Sequence, residues 1–285
     1  MAKRKLTPEE RKIRKRKLMI RRIVFFSVCA LILVLIIALL VILARAVFIK
    51  KNTPKPEGFS QIGPAAIVEN AELSHFERLY DYASPVPESE AVPDTYFTDA
   101  LFLGDSRTLG LSMYDAIAGS RTLASGNVSV DTAMSFKFGD KKVTLPDVLA
   151  EKPFSSVYMA YGLNELGWPY MDAFISAYSG LIDQIKAVQP LTTIYVEAIL
   201  PVSANKNAAS EYFNNKNIDA HNEALLKMCA KKKVYFVDLN AAYKDESGVL
   251  SAGSTSDGIN LNTDCFDIWC SYLKTHTVKK EFYTN

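Results

Sequence analysis

From Tyr96 onward the chain alternates short apolar runs with stretches of helical spacing, and this alternation restricts the fold more than any other feature. Ser156-Val157-Tyr158-Met159-Ala160 and Thr193-Ile194-Tyr195-Val196 are nearly continuously apolar. A strand with one wet face alternates polar and apolar residues, whereas these runs require cover on both faces, as in a parallel sheet between helices. Candidate strands fall at 99–103, 121–125, 155–161, 192–198 and 233–237. Candidate helices fall at 107–118, 145–151, 169–188, 214–231 and 263–276. Phe138 to Val143 reads as a hairpin inserted before Pro146. The expectation is a doubly wound α/β domain, flavodoxin-like, with three α/β/α layers around a five-stranded parallel sheet. Such sheets bind ligands beyond the carboxyl ends of their strands.

The N-terminal part has a different character. Residues 1–55 hold 15 Lys and Arg against Glu9 and Glu10, while the rest of the chain holds 18 basic and 29 acidic residues. A basic tail on an acidic body points to two compartments rather than to a nucleic-acid surface. Ile23 to Ala44 carries no charge, and at 1.5 Å per residue this run spans about 33 Å, enough for a bilayer core. It is long for a cleaved signal, whose apolar region is about 7–15 residues. A cleaved signal and a buried helix remain the alternatives to a retained anchor. Eleven basic residues precede the run and four follow it closely, which places the N-terminus in the cytoplasm and the domain outside. The basic tail then sets topology and touches anionic lipid.

The expected organisation is a cytoplasmic tail (1–22), a transmembrane helix (23–44), a stalk with a short helix (45–95) and a folded domain (96–285). Within the stalk, 66–83 has helical spacing and 84–93, with three prolines, reads as a linker. The four cysteines form no framework. Cys29 lies in the apolar run, and Cys265 and Cys270, five apart on a predicted helix, point about 140° from each other. Free thiols outside the cytoplasm fit bacteria that use few disulfides. Neither metal-ligand spacing nor a Walker loop, GxGxxG, GxSxG or HExxH is present, so neither metal nor cofactor is expected.

Three loops at the predicted carboxyl edge hold the candidate chemistry. Gly104-Asp105-Ser106 follows the first strand and opens a helix. Tyr161 to Gly167, containing Gly162-Leu163-Asn164-Glu165, follows the third strand. Asp257-Gly258-Ile259-Asn260-Leu261-Asn262 lies between the fifth strand and the last helix. Taken singly, each also reads as an ordinary turn or helix cap. All three in order at one sheet edge form a pattern.

On these residues the chain resembles the SGNH/GDSL hydrolases, specifically their membrane-anchored bacterial members. Phe102 to Thr108 is similar to the first block of that family, Gly162 to Glu165 to its Gly-x-Asn-Asp block, and Asp257 to Asn262 to its Asp-Gly-Ile-His-Leu block; Gly126 is a weak match to the second-block glycine. The resemblance implies the SGNH-hydrolase fold over about 96–276 and ester hydrolysis at Ser106. It further implies an oxyanion hole from the Ser106 and Gly126 amides and the Asn164 side chain, with Asp257 orienting the base. Asn260 stands where the family carries its histidine, and an amide has no nitrogen that titrates near neutrality. His221 and Glu165 are the candidate substitute bases, and Trp168 a candidate substrate-binding side chain, by stacking on a sugar ring.

The expected function is a single-pass, extracytoplasmic acylhydrolase-like protein of a bacterial, Gram-positive-type cell membrane. Its substrate would be an O-acyl group on envelope carbohydrate or a small ester, with no nucleic-acid partner. The alternative is an inactive protein that binds envelope glycan or a protein partner through the same cleft.

Overall fold

Five parallel strands, β1 Ala100–Gly104, β2 Arg121–Ala124, β3 Ser156–Ala160, β4 Thr193–Glu197 and β5 Tyr235–Val237, form one sheet in the order β2-β1-β3-β4-β5. The computed structural model describes residues 80–114 and 117–278. The main helices are α1 Ser106–Met113, α2 Leu145–Glu151, α3 Met171–Val188, α5 Asn215–Lys232 and α7 Cys265–Thr275. Two short helices without a sequence signal, α4 Ala204–Ala209 and α6 Asn240–Tyr243, complete the set. The first strand lies between β2 and β3, so the chain reverses its winding there. That reversal opens a crevice beyond the ends of β1 and β3.

Caps fix the helix starts. Thr144 and Asp147 form a reciprocal capping box on α2 with Pro146 in its first turn, and the Asn214 side chain accepts from Asn217 N at the start of α5. Helix α5 ends at Lys233 in the left-handed region (φ 51°). The first helix is shorter than the expected 107–118, ending at Met113. The predicted hairpin reduces to one antiparallel bridge, Phe138 with Val143.

Strand residues alternate between two apolar layers. Leu101, Leu103, Val157, Met159, Ile194 and Val196 face α2, α3 and α5. Ala100, Phe102, Tyr158, Tyr195 and Tyr235 face α7 and α6. On this second face, strand register places Phe102, Tyr158, Tyr195 and Tyr235 side by side. Their ring centroids lie 4.7, 4.7 and 5.4 Å apart, the first two pairs stacked and the third tilted by 35°. Tyr80 and Tyr82 extend the row, at 4.9 and 5.3 Å from Tyr235.

The segment read as linker packs onto the domain. Val86 and Val92 are buried; Val86 N donates to Phe236 O on the outer edge of β5 (2.8 Å), and Ser89 N and Val92 N donate to the last carbonyls of α7. An unpaired strand edge invites association, and this stretch covers part of it. Its prolines suit an extended segment lying along an edge. Folded structure therefore begins before residue 96. The expected tail (1–22), membrane span (23–44) and most of the 66–83 helix lie outside the described residues, and 80–83 forms a bend and turn. Among the described residues no helix is long and apolar enough to cross a membrane.

Val86→Asp tests this packing. A linker would tolerate it, whereas a charge in the 3%-exposed Val86 position should lower unfolding free energy by about 3 kcal/mol or more in urea titrations.

Candidate active site

Only glycine fits the turn out of β1, because a Cβ at Gly104 would lie 2.0 Å from Thr108 Oγ1 and 2.7 Å from Ala160 O. Asp105 then caps α1. Its buried carboxylate accepts from Arg107 N (3.0 Å) and, across the crevice, from Leu163 N (3.3 Å). Burial pushes this carboxyl up despite the Arg107 charge and those two amides. Ser106 follows, half-buried, at the helix N-terminus.

Ser106, Asn260 and Asp257 form a continuous chain. Ser106 Oγ donates to Asn260 Oδ1 (2.9 Å), and Asn260 Nδ2 donates to Asp257 Oδ2 (2.7 Å). The other Asp257 oxygen accepts from Ile259 N, Asn260 N and Thr255 Oγ1 at 2.8, 2.7 and 3.2 Å. Partial burial opposes the Asp257 charge, but these hydrogen bonds outweigh it and hold the carboxyl below its ordinary value. Asn260 thus occupies the geometric place of an imidazole, accepting from the serine and donating to the acid. Its oxygen accepts a hydrogen bond and does not take up a proton at neutral pH.

The oxyanion side differs from expectation in one respect. A Cβ built on Gly126 would lie 3.8 Å from Ser106 Cβ, so the two backbones are adjacent. Neither the Ser106 nor the Gly126 amide has a protein acceptor among the described residues. Asn164, in contrast, directs Nδ2 to Val128 O (2.7 Å) and Gly126 O (3.2 Å). Its two protons hold the 126–128 backbone in place, so it serves in this state as a brace for the Gly126 loop.

Neither substitute base reaches the serine. His221 is 4% exposed, pairs Nδ1 with Asn217 O (2.9 Å) and packs its ring against Phe174, with burial lowering its basicity. Glu165 is fully buried and accepts from Val130 N (2.5 Å), with Oε2 unpartnered. Burial, with Asp105 and Asp131 nearby, pushes its carboxyl up to about 7 against the Val130 hydrogen bond. Trp168 is half-buried and packs against the apolar layer of α3. No group of His, Cys, Asp and Glu among the described residues is arranged to hold a metal, and the three described cysteines are buried and in no disulfide.

Arg107 was not foreseen, because a charged residue in the first turn of a helix reads as solvent-exposed. It is 4% exposed, and its guanidinium donates to Ile259 O (2.9 Å), Leu200 O (2.6 Å) and Pro201 O (2.9 Å). Burial pushes it down to about 10, with Asp105 and Asp257 opposing, so it stays charged at neutral pH. The loop that receives it is clamped by two buried asparagines: Asn222 exchanges both amide bonds with Ile199, and Asn215 does the same with Val202. Behind the Asp257–Gly258 turn lies a cleft of about 510 Å³, walled by Ser203, Lys206, Asp245 and Ser251.

Comparison with known proteins agrees with this architecture. The profile of the GDSL-like lipase/acylhydrolase family matches residues 102–265, and the chain belongs to that family. Its fold is similar to a Streptococcus pneumonia protein provisionally described as a platelet activating factor (TM-score 0.51, 18% identity, 74% of this chain and 96% of that one). It is similar also to a provisionally assigned acylhydrolase from Bacteroides fragilis NCTC 9343 (TM-score 0.51, 14% identity, 73% and 98%). No curated protein matches the chain.

Two measurements probe these supports. Arg107→Lys keeps the charge but lacks the planar fork, so it should leave buried carbonyls unmet and lower stability by about 2 kcal/mol. For Glu165, the folded value of about 7 exceeds the ordinary 4.5, so between these values the folded state holds more protons and stability falls as pH rises. Glu165→Gln should remove that contribution, on the order of 3 kcal/mol, and flatten the decline. Glu197, buried against Trp269 Nε1 and pushed up to about 8, keeps a residual slope in both proteins. Parallel urea stability curves for variant and parent across pH 4.5–7 would refute the assignment.

Proposed function

We propose that this chain is a single-pass membrane protein whose extracytoplasmic acylhydrolase-fold domain binds ester-linked acyl groups on envelope carbohydrate, with turnover suppressed. The observation that carries the reading is the 2.9 Å contact from Ser106 Oγ to an amide oxygen, where proton abstraction requires a base. Removing the histidine from a serine-hydrolase triad costs on the order of 10⁶ in turnover. What remains is a recognition site. An ester carbonyl directed at the free Ser106 and Gly126 amides would receive two hydrogen bonds at the positive end of α1. The Ser106 hydroxyl, its proton committed to Asn260, would offer its lone pairs to the ligand.

The membrane reading rests on the uncharged run from Ile23 to Ala44 and its basic flank. Buried cysteines without disulfides are compatible with an extracytoplasmic domain in a Gram-positive-type envelope. In intact cells, added protease should digest the domain and spare an N-terminal tag; protection of the domain would reverse the topology. A second reading, slow hydrolysis, is favoured by the two free amides beside an intact Ser106-to-Asp257 chain.

One substitution separates the readings. Asn260→His should raise p-nitrophenyl acetate hydrolysis by about 100-fold or more, because the new imidazole is held by Asp257 and reaches Ser106. Adding Ser106→Ala should abolish the gain. A parent protein that already reacts with a fluorophosphonate at the rate of ordinary esterases would overturn the recognition reading.

A further inference from the structure

The edge of the sheet opposite the candidate site has a distinct surface. Because all five strands are parallel, the segments that precede them lie on one side, the amino edge, and Ser106, Asn164 and Asp257 lie on the other. Among the described residues seven large apolar side chains are exposed, and three of them, without a ring partner, belong to segments leading into strands: Met113 (71%) before β2, and Val188 and Leu191 (86%) before β4; Tyr114, a fourth, stacks on Phe266 of α7. Arg121, Lys231 and Lys233 are exposed on the same edge with no carboxylate partner among the described residues. Glu151 and Asp81 also face this side, so its net charge is small and the apolar groups dominate. The described chain enters here too, since Tyr80 and Tyr82 pack on Tyr235 at the first residue of β5.

We infer that the amino edge is a bilayer-facing surface, which rests on the membrane-anchor reading above. The 35 residues between Ala44 and Tyr80 form a tether. Even fully extended, 35 residues reach no more than about 120 Å. A tether of that length keeps the domain at an effective concentration near the millimolar range relative to its own membrane. A few exposed side chains then suffice to orient the domain, although singly they would not recruit it from solution. Met113, Val188 and Leu191 dip into the headgroup region, while Arg121, Lys231 and Lys233 meet lipid phosphates.

The orientation deepens the functional reading. Five strand residues alone separate the two edges by about 16 Å. With the amino edge down, Ser106 faces away from the bilayer, out of reach of acyl chains packed within it. The ligand then comes from the wall side, as an acylated glycan and not a membrane lipid.

The test uses the full chain reconstituted in phosphatidylcholine/phosphatidylglycerol vesicles containing a headgroup-nitroxide lipid. A fluorophore is attached at Leu191→Cys or, on the opposite edge, at Tyr170→Cys; the described native cysteines are buried. Quenching at position 191 should exceed that at 170 by threefold or more, and adding Met113→Asp and Val188→Asp should reduce the difference at least by half without altering the circular dichroism spectrum. Equal or reversed quenching in protein that co-floats with vesicles overturns the inference and leaves the anchor intact. Failure to co-float removes the anchor reading and this inference with it.

Discussion

The arrangement of the site depends on one buried cation. Arg107, one residue after Ser106, gives its guanidinium to carbonyls of Leu200, Pro201 and Ile259. Those carbonyls belong to the loop after β4 and the turn that carries Asp257 and Asn260. A buried charge is costly unless every donor is met, and here backbone oxygens meet it while Asp105 and Asp257 supply the balancing field. The same side chain that α1 uses to enter the core therefore joins three separate segments. It acts with the close contact of Gly110 and Phe266, which seats α1 against the first turn of α7.

The site also separates geometry from reactivity. Asn260 reproduces the contacts an imidazole would make, down to the bond with Asp257 Oδ2. Hydrogen bonding needs only a donor and an acceptor in the right places, which a carboxamide supplies. General-base catalysis needs a group that gains and loses a proton near the working pH, which it does not. An amide at this position therefore keeps the hydrogen-bonded chain from Ser106 to Asp257 without supplying a base. Asn164 and Glu165 add to that support from the opposite wall, holding alternate backbone groups of residues 126–130.

Much of the architecture was legible in the chain. The near-continuous apolar runs implied a parallel sheet covered on both sides, and all five strands fall within two residues of the expected limits. Helices with strong spacing and polar caps were equally plain. Less legible were the segments whose role depends on a neighbour. Residues 84–93 look like linker because extended backbone and prolines suit a linker and a strand-edge cover alike, and only the edge of β5 distinguishes the two. Helix α1 stops at Met113 although its apolar spacing continues.

What the sequence determined by itself was local and periodic: strand and helix order, the glycine turn before Ser106, and the absence of a titrating group at position 260. Those follow from steric and chemical properties of single residues and short windows. The tertiary structure alone decided which polar groups are buried and what satisfies them. Arg107 became an internal staple, Glu165 a buried prop and His221 a packed ring because of surfaces contributed by residues 35 to 152 positions away. Trp168 is partly covered by the core for the same reason. Burial depends on long-range contact, and no local pattern specifies it.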